Sequence, residues 1–161
     1  METEVIFGFI RESLYLIIVF SIFFIYTISK GRQSITNLIL GLYFALLISV
    51  EFPYYDLLLG GASSPRSAAI LSILVFATFT FVSVILFHRI LPREYDEGSF
   101  EGFWSKILLA SAATVLVMIF SYHVLPVTEL ITPGSPINYL FGSEQAFFWW
   151  LIAPFVILFF V

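Results

Sequence analysis

Glu51, His123 and Glu129 are the side chains whose types and positions come nearest to a shared piece of chemistry. A histidine beside a carboxylate makes a proton-sensitive contact, because imidazole changes charge near neutrality. His123 stands 17 residues beyond Lys106, about 25 Å along a helix rising ~1.5 Å per residue. That places it at the far membrane interface, where it is either an interfacial histidine beside Tyr122 or the partner of Glu51 or Glu129. Glu51 and Asp56 are five residues apart, about 140° around a helix, and Pro53 lies between them. They read as solvated loop acids. His88 adjoins Arg89 and reads as an anchor at a membrane boundary. The chain has no cysteine, which excludes disulfides, thiol redox chemistry and thiolate metal sites. Its two histidines lie outside any HExxH-like pattern. No nucleophile-elbow, phosphate-loop or dinucleotide fingerprint occurs. We therefore expect no metal, no cofactor and no enzymatic activity.

The elements that would carry these residues are set by composition. Of 161 residues, 60% are hydrophobic and only 11% charged, and 20 are Phe. A soluble domain carries roughly 25% charged residues, so this chain cannot cover itself with a polar surface, and lipid is its solvent. The net charge of −4 is spread between links and leaves no footprint for nucleic acid. The expected fold is all-α and polytopic, one integral membrane domain of about five spans at 13–29, 33–51, 67–88, 106–125 and 145–161. Span one holds eleven Leu, Ile, Val or Phe residues, favouring insertion by roughly 3–7 kcal/mol before polar terms. Residues 5–12 read as an interfacial lead-in to it. The acidic start, Met1 to Glu4, lacks the positive region of a signal peptide, so span one is expected to be retained. The links at 51–66 and 126–144 read as loops, the second an ordered one. Phe100, Phe103 and Trp104 read as an interfacial entry to span four. Phe147, Phe148, Trp149 and Trp150 form an aromatic belt ahead of Pro154. Within their ends, the spans hold no Asp, Glu, Lys or Arg. Ionisable groups at depth mark proton relays and ion pathways, and here there are none.

Positive charge fixes the expected orientation. Lys30 and Arg32 flank Gly31 in a turn too short for anything but a hairpin, and Gly suits the positive φ of such a turn. With that turn inside, Lys30, Arg32, Arg89, Arg93 and Lys106 are all cytoplasmic, and Arg11 and Arg66 remain outside. The expected location is the cell membrane, with the N-terminus outside and the C-terminus cytoplasmic.

Span two has the clearest surface pattern. At ~100° per residue, Ser34, Asn37, Gly41, Ala45 and Ser49 share about a third of its circumference. Small residues let helices approach closely in lipid, where packing rather than hydrophobicity drives association. Ala110 and Thr114 give span four a matching face. Intramolecular packing and a homo-oligomer seam are both compatible with these faces. Ser34, Asn37, Ser72, Thr80 and Ser83 could alternatively line a polar path.

At Ile28-Ser29-Lys30-Gly31-Arg32, followed by span two with Gly41, the chain resembles the colicin V production protein (CvpA-like) family of small bacterial inner-membrane proteins. The likeness runs from about Tyr15 to Leu125: a helix, a short basic Gly-containing turn, a helix with small residues, then two spans separated by a polar, amphipathic link. Gln33 follows the turn where the family has an aromatic and further Arg, Gly98 and Gly102 stand for a richer glycine entry to span four, and the last span is additional. The resemblance implies a non-enzymatic protein of envelope homeostasis or export, with no catalytic residues to carry over. Its expected partners are the lipid bilayer and another membrane protein or a second copy. A small-solute transporter or channel component is the alternative.

Overall fold

Gly31 has φ +84, the left-handed conformation that the short basic turn requires. Its N–H still reaches the Thr27 carbonyl at 2.9 Å, so helix α1, Glu2–Lys30, reverses directly into α2, Arg32–Val50. The computed structural model describes the backbone of residues 2–91, 102–127, 130 and 135–161, and their side chains from residue 13 onward except 135, 136 and 138. Arg93 and Glu129 lie outside the described residues. The remaining helices are α3 Tyr55–Leu59, α4 Pro65–Ile90, α5 Gly102–His123, α6 Ser135–Phe141 and α7 Glu144–Phe160. No strand occurs among the described residues.

Among the described residues, four helices are long and apolar enough to cross a membrane: Ser13–Lys30 within α1, then Arg32–Val50, Pro65–Ile90 and Gly102–His123. The fifth apolar helix, α7, has 17 residues, about 25 Å of rise.

Several boundaries differ from the sequence expectation, each for a local reason. Residues 5–12 are continuous with α1 rather than a separate lead-in. α4 begins at Pro65, not Ser67, because Ser64 caps it: its Oγ accepts from the Ser67 N–H at 3.2 Å, and Ser67 Oγ accepts from the Ser64 N–H at 2.9 Å. Pro65 occupies the first helical position, where a missing N–H costs nothing. Phe103 and Trp104 form the first turn of α5 instead of a separate interfacial entry. Both links expected as loops contain short helices, α3 and α6. α3 is held by Phe52, whose ring meets those of Tyr54, Tyr55 and Phe79 at 5.3–5.7 and 5.1 Å, and by a hydrogen bond between the Ser49 and Tyr55 hydroxyls.

The packing order is non-sequential. α1, α2 and α5 pack mutually, α7 lies against α5, and α4 lies chiefly against α2. The core combines Ile35, Ile39 and Leu42 of α2 with Leu109, Leu116, Ile119 and Phe120 of α5. α2 is therefore covered on two sides. The side chains of Ile17, Ile22, Ile25, Leu74, Phe81 and Ile85, on α1 and α4, are exposed and suit contact with lipid.

Candidate functional site: the seam between α2 and α4

α2 and α4 run antiparallel, with Gly41 facing Val84 and Asn37 facing His88. Gly41 makes the approach possible. A Cβ there would lie 2.6 Å from Val84 Cγ2 and 3.2 Å from the Val84 backbone nitrogen, closer than real side chains pack. Asn37, Ala45 and Ser49 are buried on the same face, and Ser34 is half-buried at its end. Of the residues sequence reasoning grouped on this face, Gly41 and Asn37 meet α4 directly. The matching face on α5 is not Gly41's neighbour. Ala110 and Thr114 are buried, on a helix that packs on α1, α7 and α2.

Most hydroxyls along the seam are turned back on their own helices. Ser34 Oγ donates to the Lys30 carbonyl at 2.9 Å, Ser72 Oγ to Ala68 at 3.0 Å, and Thr80 Oγ1 to Phe76 at 2.9 Å. On α5, Thr114 Oγ1 donates to Ala110 at 2.7 Å. Such bonds hide a hydroxyl from lipid without needing a partner helix. Asn37 departs from this rule. It is 1% exposed, and its Nδ2 lies 3.4 Å from His88 Nδ1, a bond in which the amide donates and the ring nitrogen accepts. His88 itself is exposed at the end of α4, so this anchor also ties the two helices together. Asn37 Oδ1 and Ser83 Oγ are buried and have no hydrogen-bond partner among the described residues.

At the opposite end, His123 has a different partner from the carboxylates considered in the sequence. Its Nε2–H donates to the Phe141 carbonyl at 2.6 Å, and its ring lies 4.7 Å from that of Phe147. Trp150 Nε1 donates to the neighbouring Leu140 carbonyl at 2.9 Å. Two side chains from α5 and α7 therefore satisfy two of the terminal carbonyls that any helix leaves open, here those of α6. Glu51 is exposed at the end of α2. His123→Ala should cost about 1 kcal/mol, read as a lower melting temperature in mild detergent. His123→Gln, whose amide N–H can stand in for Nε2–H, should recover most of it.

Tyr43 was not singled out by its sequence pattern. It lies on the side of α2 away from Gly41, where its hydroxyl donates to the Leu151 carbonyl and its ring sits 4.2 Å from Phe155. No local signal points to it, because the partner is 108 residues away.

The described residues contain no group of three His, Cys, Asp or Glu that could hold a metal. Lys30, Arg32, Arg89 and Lys106 gather at one end of the bundle, while Glu51, Asp56 and Glu144 are at the other. The seam offers close helix packing and one buried amide, with no nucleophile held against a base. No protein-family model, no curated protein and no solved structure matches the chain.

Proposed function

We propose that the chain is a multi-pass membrane protein that acts through helix packing, with a partner or a second copy, and performs no catalysis. The observation that carries this reading is the Gly41–Val84 approach. Gly41, on the small-residue face of α2, meets α4 inside one chain, and Ser34, Ser72 and Thr80 along the seam bond their own helix backbones. Contacts with another protein then fall to the exposed apolar faces of α1 and α4. The likeness at Lys30-Gly31-Arg32 to the colicin V production family supports a bacterial inner membrane and a role in envelope homeostasis or export. Cross-linking in native membranes, followed by identification of what is captured, tests this. A reproducible membrane-protein partner or a self-adduct is expected; capture of neither overturns it.

A transporter or channel component is the second reading, and the unpartnered Asn37 Oδ1 and Ser83 Oγ favour it, since a water-filled path would satisfy both. Solute flux in proteoliposomes that disappears in Asn37→Leu would establish it over the packing reading.

Five crossings, with the basic end cytoplasmic and the N-terminus outside, complete the proposal. The starting sequence has no cysteine, so single cysteines report topology cleanly. An impermeant maleimide should label Gly31→Cys and Ser64→Cys from opposite sides, and Val161→Cys from the same side as Gly31→Cys. Labelling of Val161→Cys from the Ser64 side would reduce the count to four.

A further inference from the structure

The Asn37–His88 pair that joins α2 to α4 has a hydrogen bond that depends on a proton. Asn37 is 1% exposed and cannot turn to water, while the His88 ring is exposed at the end of α4. One side of the pair is therefore fixed and dry, and the other can exchange protons with solvent. With neutral His88 the bond runs from Asn37 Nδ2–H to His88 Nδ1 at 3.4 Å, long for a hydrogen bond. Asn37 Oδ1 is then buried without a partner among the described residues. Protonation puts a proton on Nδ1, so the ring can no longer accept, and two N–H groups would face each other. Turning the amide about its Cβ–Cγ bond relieves this, because Oδ1 and Nδ2 exchange places in nearly the same volume. The buried oxygen then accepts from a charged donor, and such bonds are shorter and roughly twice as strong as neutral ones. One end of the amide is left over in either state, so the difference between the two states is the charge on the bond.

The surroundings act in both directions. His88 lies in the last turn of α4, where the open carbonyls of a helix end favour a cation. Among the described residues, the other charged side chains at this end are Arg89 on α4, Arg32 on α2, Lys30 on α1 and Lys106 on α5. All are cations and oppose another, but Arg89, Arg32 and Lys30 are exposed, where water and salt screen them. We propose that His88 is a proton-operated latch on this seam: protonation of its ring tightens the hold of α4 on α2, and deprotonation loosens it. The latch regulates, and rests on, the helix packing from which the function above is read.

Melting of the purified full-length protein in mild detergent, followed from about pH 8 to about pH 5.5 across the ordinary imidazole range, tests it. Other groups titrate too, so the quantity read is the melting temperature of the parent minus that of His88→Gln, whose side chain can pair with Asn37 but takes no proton. The charged form makes the stronger bond in the folded state, so its stabilisation is present at the acid end and lost as pH rises. The difference should therefore grow by about 2–4 °C toward the acid end. It should stay flat when both proteins also carry Asn37→Leu (or Asn37→Ala, should the leucine variant fail to fold). A flat difference with Asn37 in place overturns the latch, as does one that shrinks toward acid pH or one that grows equally without Asn37. Gly41→Leu separates the latch from the packing beneath it. If Gly41→Leu melts as the parent does, the helices do not pack at this seam, and the latch and the packing reading fail together. If Gly41→Leu is destabilised while the parent-minus-His88→Gln difference is flat, the packing stands and the latch alone fails.

Discussion

Gly41→Leu is expected to lower folded yield in mild detergent sharply and to depress the melting temperature of what remains. The first atom of any side chain at 41 already falls 2.6 Å from Val84 Cγ2. Overpacking a well-packed site costs typically about 1–3 kcal/mol. In a soluble core, part of that is offset by burying more apolar surface. In lipid it is not, because a leucine facing acyl chains is as well solvated as one facing a helix. The clash must therefore be relieved by moving α4, and most of α4's attachment to the bundle is this seam. The grading of variants identifies the cause. Gly41→Ala should be milder, and Gly41→Ala combined with Val84→Ala milder still, since the nearest clashing methyl is then gone. Gly41→Leu with Val84→Ala should recover only in part, because the Val84 backbone nitrogen remains 3.2 Å from the new Cβ. Unchanged yield and melting for Gly41→Leu would mean that the helices do not meet at this position.

What was legible in the sequence and what was not divide along a physical line. Hydropathy located the long helices because insertion into lipid is decided residue by residue along one segment. The left-handed turn at Gly31 was legible for a similar reason, since two helices joined by one residue leave few backbone solutions. The close face of α2 could be read from spacing alone, but its partner could not. Gly41 could equally have met Ala110 of α5, and only the three-dimensional arrangement shows Val84 of α4 there instead. α3 and α6 were missed because each is short, and each depends on side chains supplied from elsewhere. Tyr55 is held by Ser49, and the last carbonyls of α6 by His123 and Trp150. In one dimension His123 read either as an interfacial histidine beside Tyr122 or as the partner of Glu51 or Glu129. In three dimensions its Nε2–H is committed to a backbone carbonyl.

The link between α2 and α7 was the least legible, and it leads to the second large expected effect. Pro154 sits inside α7 and has no N–H to give to the Trp150 carbonyl one turn back. A backbone gap of this kind in apolar surroundings is tolerated when a neighbouring helix supplies polar groups nearby. Tyr43 does so: its hydroxyl donates to the Leu151 carbonyl, in the turn that Pro154 weakens. Tyr43→Phe keeps the ring on Phe155 and removes only that donor. A side-chain hydrogen bond between membrane helices averages ~0.6 kcal/mol and reaches ~1.7, and the weakened turn places this one at the upper end. Tyr43→Ala adds the loss of a half-buried ring and should cost more. Both should lower the melting temperature, in that order, and should loosen α7 selectively. Impermeant maleimide should then label Val161→Cys faster while leaving Gly31→Cys unchanged. The decisive comparison restores the missing backbone donor. If Tyr43 compensates for Pro154, the penalty of Tyr43→Phe should shrink when it is measured in a Pro154→Ala background. If the two effects simply add, the hydroxyl serves only to join α2 to α7, and the weakened turn of α7 supports itself.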